Sequence, residues 1–262
     1  MAYHRKGSGQ PLVMVHGIVT YSFIWDDIAD ALSENYDIIW LDLLGCGDSD
    51  KPVGVDFSIK AHAHRLKNFI DQLGIERFHL VSHDVGGGIA QIYAVNYPED
   101  LYDVVLINSI GYDFWPVQPI IAMRTPIIRQ LVLASLDFGV LRKIVSAGLY
   151  YKGMLTPDLI ARFKAPFLTP EGRKAFIHFA KGLDNRHLLE IENDLRKLDL
   201  PVLIVRGDAD PYLSLEISAK LHDEIPGSRL IRIPTAGHFI QFDEPEFLTK
   251  IISEFIDTQC HD

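Results

Sequence analysis

Cysteine is scarce in this chain: its 262 residues hold two, Cys46 and Cys260. No disulfide framework and no C-x-x-C metal pattern can be built from them, so no metal is expected. Long apolar runs are missing too. No uninterrupted hydrophobic stretch reaches the length of a membrane span, and the opening MAYHRKGSG lacks an apolar signal core. A cytoplasmic location without a membrane partner is the expectation. Positive charge is in deficit: 25 Lys and Arg against 35 Asp and Glu leave a net charge of −10. That balance argues against nucleic acid or an anionic membrane as a partner. Nucleotide-binding loops are absent as well. DLLGCGDSDKP (42–52) is rich in glycine but holds neither G-x-x-x-x-G-K-[ST] nor G-x-G-x-x-G, so no nucleotide cofactor is expected.

What is present is a soluble globular composition, 48% hydrophobic and 23% charged, in a length that fits one large α/β domain or a core with a modest insertion. Apolar runs of strand length recur at 11–17 (PLVMVHG), 36–42 (YDIIWLD), 77–83 (RFHLVSH) and 103–109 (DVVLINS). Helical periodicity separates them at 24–34, from Ser58 to Leu73, and at 86–98, where Pro98 stops the helix. This alternation predicts βαβ units and a parallel sheet. The rhythm then lapses. Between Gly111 and Leu198 no clear strand appears, and the segment reads as helical, punctuated by Pro116, Pro119, Pro126, Pro157, Pro166 and Pro170. It resumes with strands at 201–207 and 228–234 and helices at 214–224 and 244–256. The expected fold is α/β, a doubly wound, mostly parallel sheet with core 1–110 and 199–262 and a helical cap, 111–198, inserted after the fourth recognisable strand. Residues 117–149 are rich in Ile, Leu and Val. They read as helices packed on the core, as an apolar lid, or as a homodimer surface.

Residues 80–88, LVSHDVGGG, run a strand straight into a helix. In such a turn the middle residue is pushed to the strand tip, and its neighbours two positions away must be small. Ser82 and Gly86 are small, so the middle residue is Asp84. With Ser82 as the centre the flanks would be Leu80 and Asp84, neither of them small. The plain alternative for Asp84 is a helix N-cap. A carboxylate at a helix N-terminus is favoured by the dipole and suits attack on sp³ carbon. His238, in the Gly-His of TAGHFIQFDEPE (235–246), is the candidate general base. In RGDADPYLS (206–214) the acid that orients it is Asp210, with Asp208 shaping the turn. The backbone N–H groups of Ile18, after His16-Gly17, and of Val85 are candidates for an oxyanion hole; His16 itself reads as structural.

Together these motifs resemble the α/β-hydrolase family across essentially the whole chain: HG at 16–17, D-x-x-G-x-G-x-S at 42–49, the elbow at 82–86, G-x-x-D at 207–210 and GH at 237–238 fall in family order. His83-Asp84 and SDKP at 49–52 look more like the haloalkane dehalogenase and epoxide hydrolase branches than the serine esterases. The resemblance implies an Asp84–His238–Asp210 triad, a covalent alkyl-enzyme ester and hydrolysis of a small apolar substrate, with no cofactor. It also shows departures. Val85 stands where dehalogenases carry a halide-binding Trp, Ile18 where they often carry Asn, and Val19 where epoxide hydrolases carry Pro. Gly87 and Gly88 replace the arginines of fluoroacetate dehalogenases. Tyr150 and Tyr151 are available as lid tyrosines that protonate an opening epoxide, and Trp115 suggests a hydrophobic substrate site. Only residues 2–6 precede the His-Gly strand, so an edge strand of the sheet is expected to be missing. Two further readings stand beside this one: a hydrolase or lyase of other specificity, and a non-catalytic ligand-binding protein.

Overall fold

The computed structural model describes residues 1–114, 121, 125 and 139–259. Trp115, Cys260 and much of 117–149 lie outside the described residues. Seven strands form one sheet: β1 (Tyr3–Gly7), β2 (Pro11–Val15), β3 (Asp37–Leu41), β4 (Phe78–His83), β5 (Leu101–Ile107), β6 (Val202–Gly207) and β7 (Arg229–Ile233). Their order is β1-β3-β2-β4-β5-β6-β7. β1 runs antiparallel to β3, and every other neighbouring pair is parallel. Among the described residues one short strand, β1, precedes the His-Gly strand.

The helices are α1 (Asp26–Leu32), α2 (Ile59–Leu73), α3 (Val85–Asn96), α4 (Val140–Gly148), α5 (Pro157–Lys164), α6 (Pro170–Gly182), α7 (Arg186–Leu189), α8 (Glu192–Leu195), α9 (Leu215–Glu224), α10 (Ile240–Asp243) and α11 (Pro245–Gln259). α2 starts where the sequence places it: the Ser58 side chain accepts from the Ala61 N–H at 3.1 Å. Two prolines that punctuate the insertion are helix starts. Pro157 and Pro170 open α5 and α6, each behind a threonine, Thr156 or Thr169, that caps the first turn.

Side chains alternate between the faces of the central strands. Val13, Val15, Ile39, Leu41 and Leu80 pack toward α2 and α3. Leu12, Met14, Ile38, Trp40 and Val81 pack toward α1 and α11. Apolar residues on both sides of the sheet explain why the central strands read as continuous hydrophobic runs. Five helices between β5 and β6, α4 to α8, come from the insertion's described part, and its last portion joins the layer beside α3, where Leu188, Ile191 and Leu195 share a cluster with Ile89 and Ile92. No helix among the described residues is long and apolar enough to cross a membrane. Because β2, β4, β6 and β7 are parallel, the loops that follow them leave the same edge of the sheet.

Candidate active site

Asp84 stands between β4 and α3 with φ 52° and ψ −118°. Side chains larger than hydrogen rarely occupy that region. The tight turn brings α3 against the loop after β2: a Cβ on Gly86 would come within 2.5 Å of the His16 carbonyl oxygen. Gly17 is constrained in the same way, since a Cβ there would lie 2.8 Å from the Asp84 Cγ. The Asp84 side chain does not cap α3. It crosses to the His-Gly loop instead, where Oδ2 accepts the Ile18 N–H at 2.8 Å, and the nearby Val85 N–H also favours the charged carboxylate. Burial pushes the Asp84 carboxyl above its usual range, opposed by His238 and by these two N–H groups.

His238 follows β7. Its Nδ1 lies 2.8 Å from Asp210 Oδ2, and Nε2 has no hydrogen-bond partner among the described residues. Burial pulls the imidazole down, but the carboxylates of Asp210 and Asp84 outweigh it and hold His238 above its ordinary value. Asp210 is itself anchored through Oδ1 by the N–H groups of Tyr212 at 2.7 Å and Leu213 at 3.2 Å. Burial would raise its carboxyl, yet His238, Arg206 and the Tyr212 N–H bring the balance below the carboxylate norm. The three side chains are 5%, 6% and 8% exposed for Asp84, His238 and Asp210, so the cluster is shielded from water.

The chain matches the family model described as alpha/beta hydrolase fold over residues 10–245. It belongs to the α/β-hydrolase family. Among its relatives, haloalkane dehalogenase 2 of Mycobacterium tuberculosis is 28% identical over 265 residues, covering 96% of this chain and 90% of that protein. The cis-3-alkyl-4-alkyloxetan-2-one decarboxylase of Shewanella oneidensis is 27% identical over 268 residues, covering 97% and 84%. The crystal structure of a putative ancestral haloalkane dehalogenase superposes with a TM-score of 0.87 at 26% identity, covering all of this chain and 96% of that one. Family membership and these relatives support a hydrolytic enzyme.

In this α/β-hydrolase the sequence-predicted residues fall into two groups. Asp84, His238, Asp210, Ile18 and Val85 come together. Asp208 lies outside the cluster, its carboxylate paired with Arg232 at 2.8 Å on an exposed edge. His16 is structural: Nε2 accepts the Leu43 N–H at 2.9 Å, so the proton sits on Nδ1, which donates to the Gly17 carbonyl at 2.7 Å. The Ser82 hydroxyl is buried and donates to the Val105 carbonyl at 2.9 Å. Tyr150 and Tyr151 are both 43% exposed, and the Tyr151 hydroxyl donates to Glu244 at 3.3 Å. Their backbone N–H groups bond to Asp243 at 2.9–3.0 Å. The glycine-rich loop is filled by its own acid: Asp42 accepts the N–H groups of Ser22 and Asp48, each at 2.7 Å, which leaves that carboxylate where an anion would need donors.

Sequence reasoning missed the residues that hold the histidine. Asn108, at the end of β5, donates through Nδ2 to the carbonyls of Gly237 and His238 at 2.9 Å and accepts the Gly207 N–H at 3.0 Å. His83 Nε2 donates to the His238 carbonyl at 2.9 Å. Burial takes His83 down to about 3, so it stays neutral. Asp243 accepts the Gly237 N–H at 2.8 Å. Arg206, inside the apolar run VLIVRG, carried the one visible signal: a charged residue within a buried strand needs a partner.

Proposed function

We propose that this α/β-hydrolase uses Asp84 as a nucleophile on an electrophilic sp³ carbon of a small apolar substrate, in the manner of a haloalkane dehalogenase or an epoxide hydrolase. The observation that carries the reading is the asymmetry of the Asp84 carboxylate: Oδ2 is tied by the Ile18 N–H at 2.8 Å, and no side-chain donor reaches either oxygen among the described residues. The untied Oδ1 attacks the carbon and the leaving group departs with its electron pair. The product is an alkyl ester of Asp84. Water then attacks the ester Cγ while His238 Nε2 takes its proton. Negative charge develops on Oδ2, which already accepts the Ile18 N–H, with the Val85 N–H of the same turn as the second donor. Collapse of that intermediate breaks the bond from Cγ to the alkyl oxygen; the departing alkoxide takes up one proton, in place of the one on the new Cγ hydroxyl, so that the alcohol is freed, the carboxylate is restored and His238 gives its proton to solvent. Asp210 keeps the proton of the imidazole on Nδ1 and stabilises the imidazolium.

Val85 and Ile18 replace the halide-binding side chains of dehalogenases, and one relative is named for an oxetanone substrate. That pair of observations favours a second reading in which the bond broken is the carbon–oxygen bond of a strained ring. The experiment is a trap. His238→Phe is incubated with haloalkanes, epoxides and β-lactones, and the intact protein is weighed. The expected result is added mass on a peptide containing Asp84, with the productive panel member naming the substrate class. Label on Ser82, or no adduct from any class, refutes the nucleophile.

A further inference from the structure

Two carboxylates press on one imidazole here, and that poses a problem for a base. Asp84 and Asp210 both favour the protonated form of His238. A histidine that stays protonated cannot accept a proton from water. The buried guanidinium of Arg206 supplies the opposing charge. Arg206 is 3% exposed. Its Nη1 lies 3.2 Å from Asp210 Oδ2, the same oxygen that accepts from His238 Nδ1 at 2.8 Å. Nη2 donates to the carbonyls of Leu213 at 2.7 Å and Asp210 at 3.4 Å. Nε is buried with no partner. Burying an arginine with an orphaned donor is costly, and a well-packed apolar residue in its place is often neutral or stabilising. Its presence on a strand of Val, Leu and Ile therefore calls for a role other than stability.

We propose that Arg206 is a positioning residue that acts through Asp210 as a counter-charge, limiting how strongly the neighbouring carboxylates favour the imidazolium, so that a neutral His238 is available as a base once Asp84 is esterified. The proposal rests on the reading of His238 as the base for hydrolysis of an Asp84 ester. Among the described residues, the other groups beside the pair carry no opposing charge. His83 is neutral, and Tyr212 meets the His238 ring edge-on with its phenol pushed up to about 12. Asp243 takes three backbone N–H groups of the surrounding loops. On the far side of Arg206, Asp208 is paired with Arg232. With His238 neutral, the set Asp84, Asp210 and Arg206 sums to one negative charge in the resting enzyme and to zero in the Asp84 ester; without Arg206 each sum is more negative by one. Removal of an opposing charge at this range shifts a buried titration by about one unit or more.

The test needs no substrate. His238 is followed by NMR titration of histidine-labelled protein, assigned with His238→Gln, in the unaltered chain and in R206M, R206Q and R206K. R206Q keeps a donor for the Leu213 carbonyl without charge, and R206K keeps charge with fewer donors. The expected result is an upward move of His238 by about one unit in R206M and R206Q, with R206K near the unaltered value. The acid limb of ester hydrolysis moves with it, so that below the limb the rate falls about tenfold. A His238 titration unmoved in the uncharged variants, or moved equally in R206K, overturns the proposal and leaves Arg206 as a tie for the 210–213 turn. Failure of all three variants to fold, read by circular dichroism, overturns it likewise. Should the Asp84 trap fail while the NMR shift appears, the nucleophile reading falls and the charge balance stands.

Discussion

Asp84 holds its backbone at φ 52° and ψ −118°, and the strain that this implies can be weighed by comparing two substitutions at that one position. Asp84→Ala and Asp84→Gly both delete the carboxylate, both remove a buried charge and both leave the Ile18 N–H without its acceptor. Those terms cancel in the difference. What remains is the Cβ in a region where it costs about 1–3 kcal/mol, against the greater freedom of an unfolded glycine, roughly 0.5–1 kcal/mol in the other direction. The glycine variant is expected to be the more stable by about 0.5–2 kcal/mol. For a domain of this length that is a melting-temperature gap of roughly 1–8 °C. Urea melts with a common slope measure it directly. An ordinary exposed site gives the reverse order. If the alanine variant equals or exceeds the glycine variant, the elbow is relaxed, and the claim that the fold forces this residue to the strand tip is wrong.

Three other outcomes are expected. In the resting enzyme His238 titrates above the ordinary histidine 6.5, because the carboxylates of Asp210 and Asp84 outweigh burial; a midpoint below 6.5 in an NMR titration contradicts this. The same raised value makes the His238 contribution to stability complete below its unfolded pKa and lost as pH rises through the folded one. Ser82→Ala keeps hydrolysis, since its hydroxyl is committed to the Val105 carbonyl, and costs about 1 kcal/mol in a urea melt; abolished turnover in folded protein refutes the Asp84 assignment. Asn108→Asp turns an oxygen toward the carbonyls of Gly237 and His238 in place of the donor that binds them, and the displaced histidine lowers kcat about 100-fold in steady-state assays, whereas Asn108→Asp with unchanged kcat shows the clamp to be dispensable.

The elbow was readable because its constraint is local. A turn that closes only with a small residue at 86 writes that need into the chain beside Asp84, and Gly17 is fixed by the same carboxylate. The strands were readable because apolar residues line both sheet faces. β1 left little trace: YHRKG is exposed along its whole length and carries no alternation. Asn108 and Asp243 left none. Their bonds go to backbone atoms, and the contact from Asn108 to Gly237 spans 129 positions, so no spacing rule or residue type at the far end records it. The bonds from Tyr150 and Tyr151 to Asp243 were hidden for a related reason: they use backbone N–H groups, which any residue but proline supplies.

The same backbone bonds decide what the position of His238 depends on. Its loop is gripped from β4 by His83, from β5 by Asn108, and from the insertion by Gly148, whose carbonyl accepts the His238 N–H at 2.7 Å. Asp243 adds a second grip on the insertion by binding the N–H groups of Gly237, Tyr150 and Tyr151 on one carboxylate. The end of α4 and the histidine loop are thus one bonded unit. Orientation of the imidazole is set by Asp210 on one side and by a backbone held at three places on the other, and one of those places lies outside the sheet. Two contributors fall at strand ends that are common to the fold. The third is a segment between β5 and β6 that is itself constrained, since a Cβ on Gly148 would come within 2.6 Å of the Phe239 ring and Leu141, Val145 and Leu149 are buried. The shape of the insertion near α4 therefore acts on His238 through main-chain geometry that these packed residues hold in register.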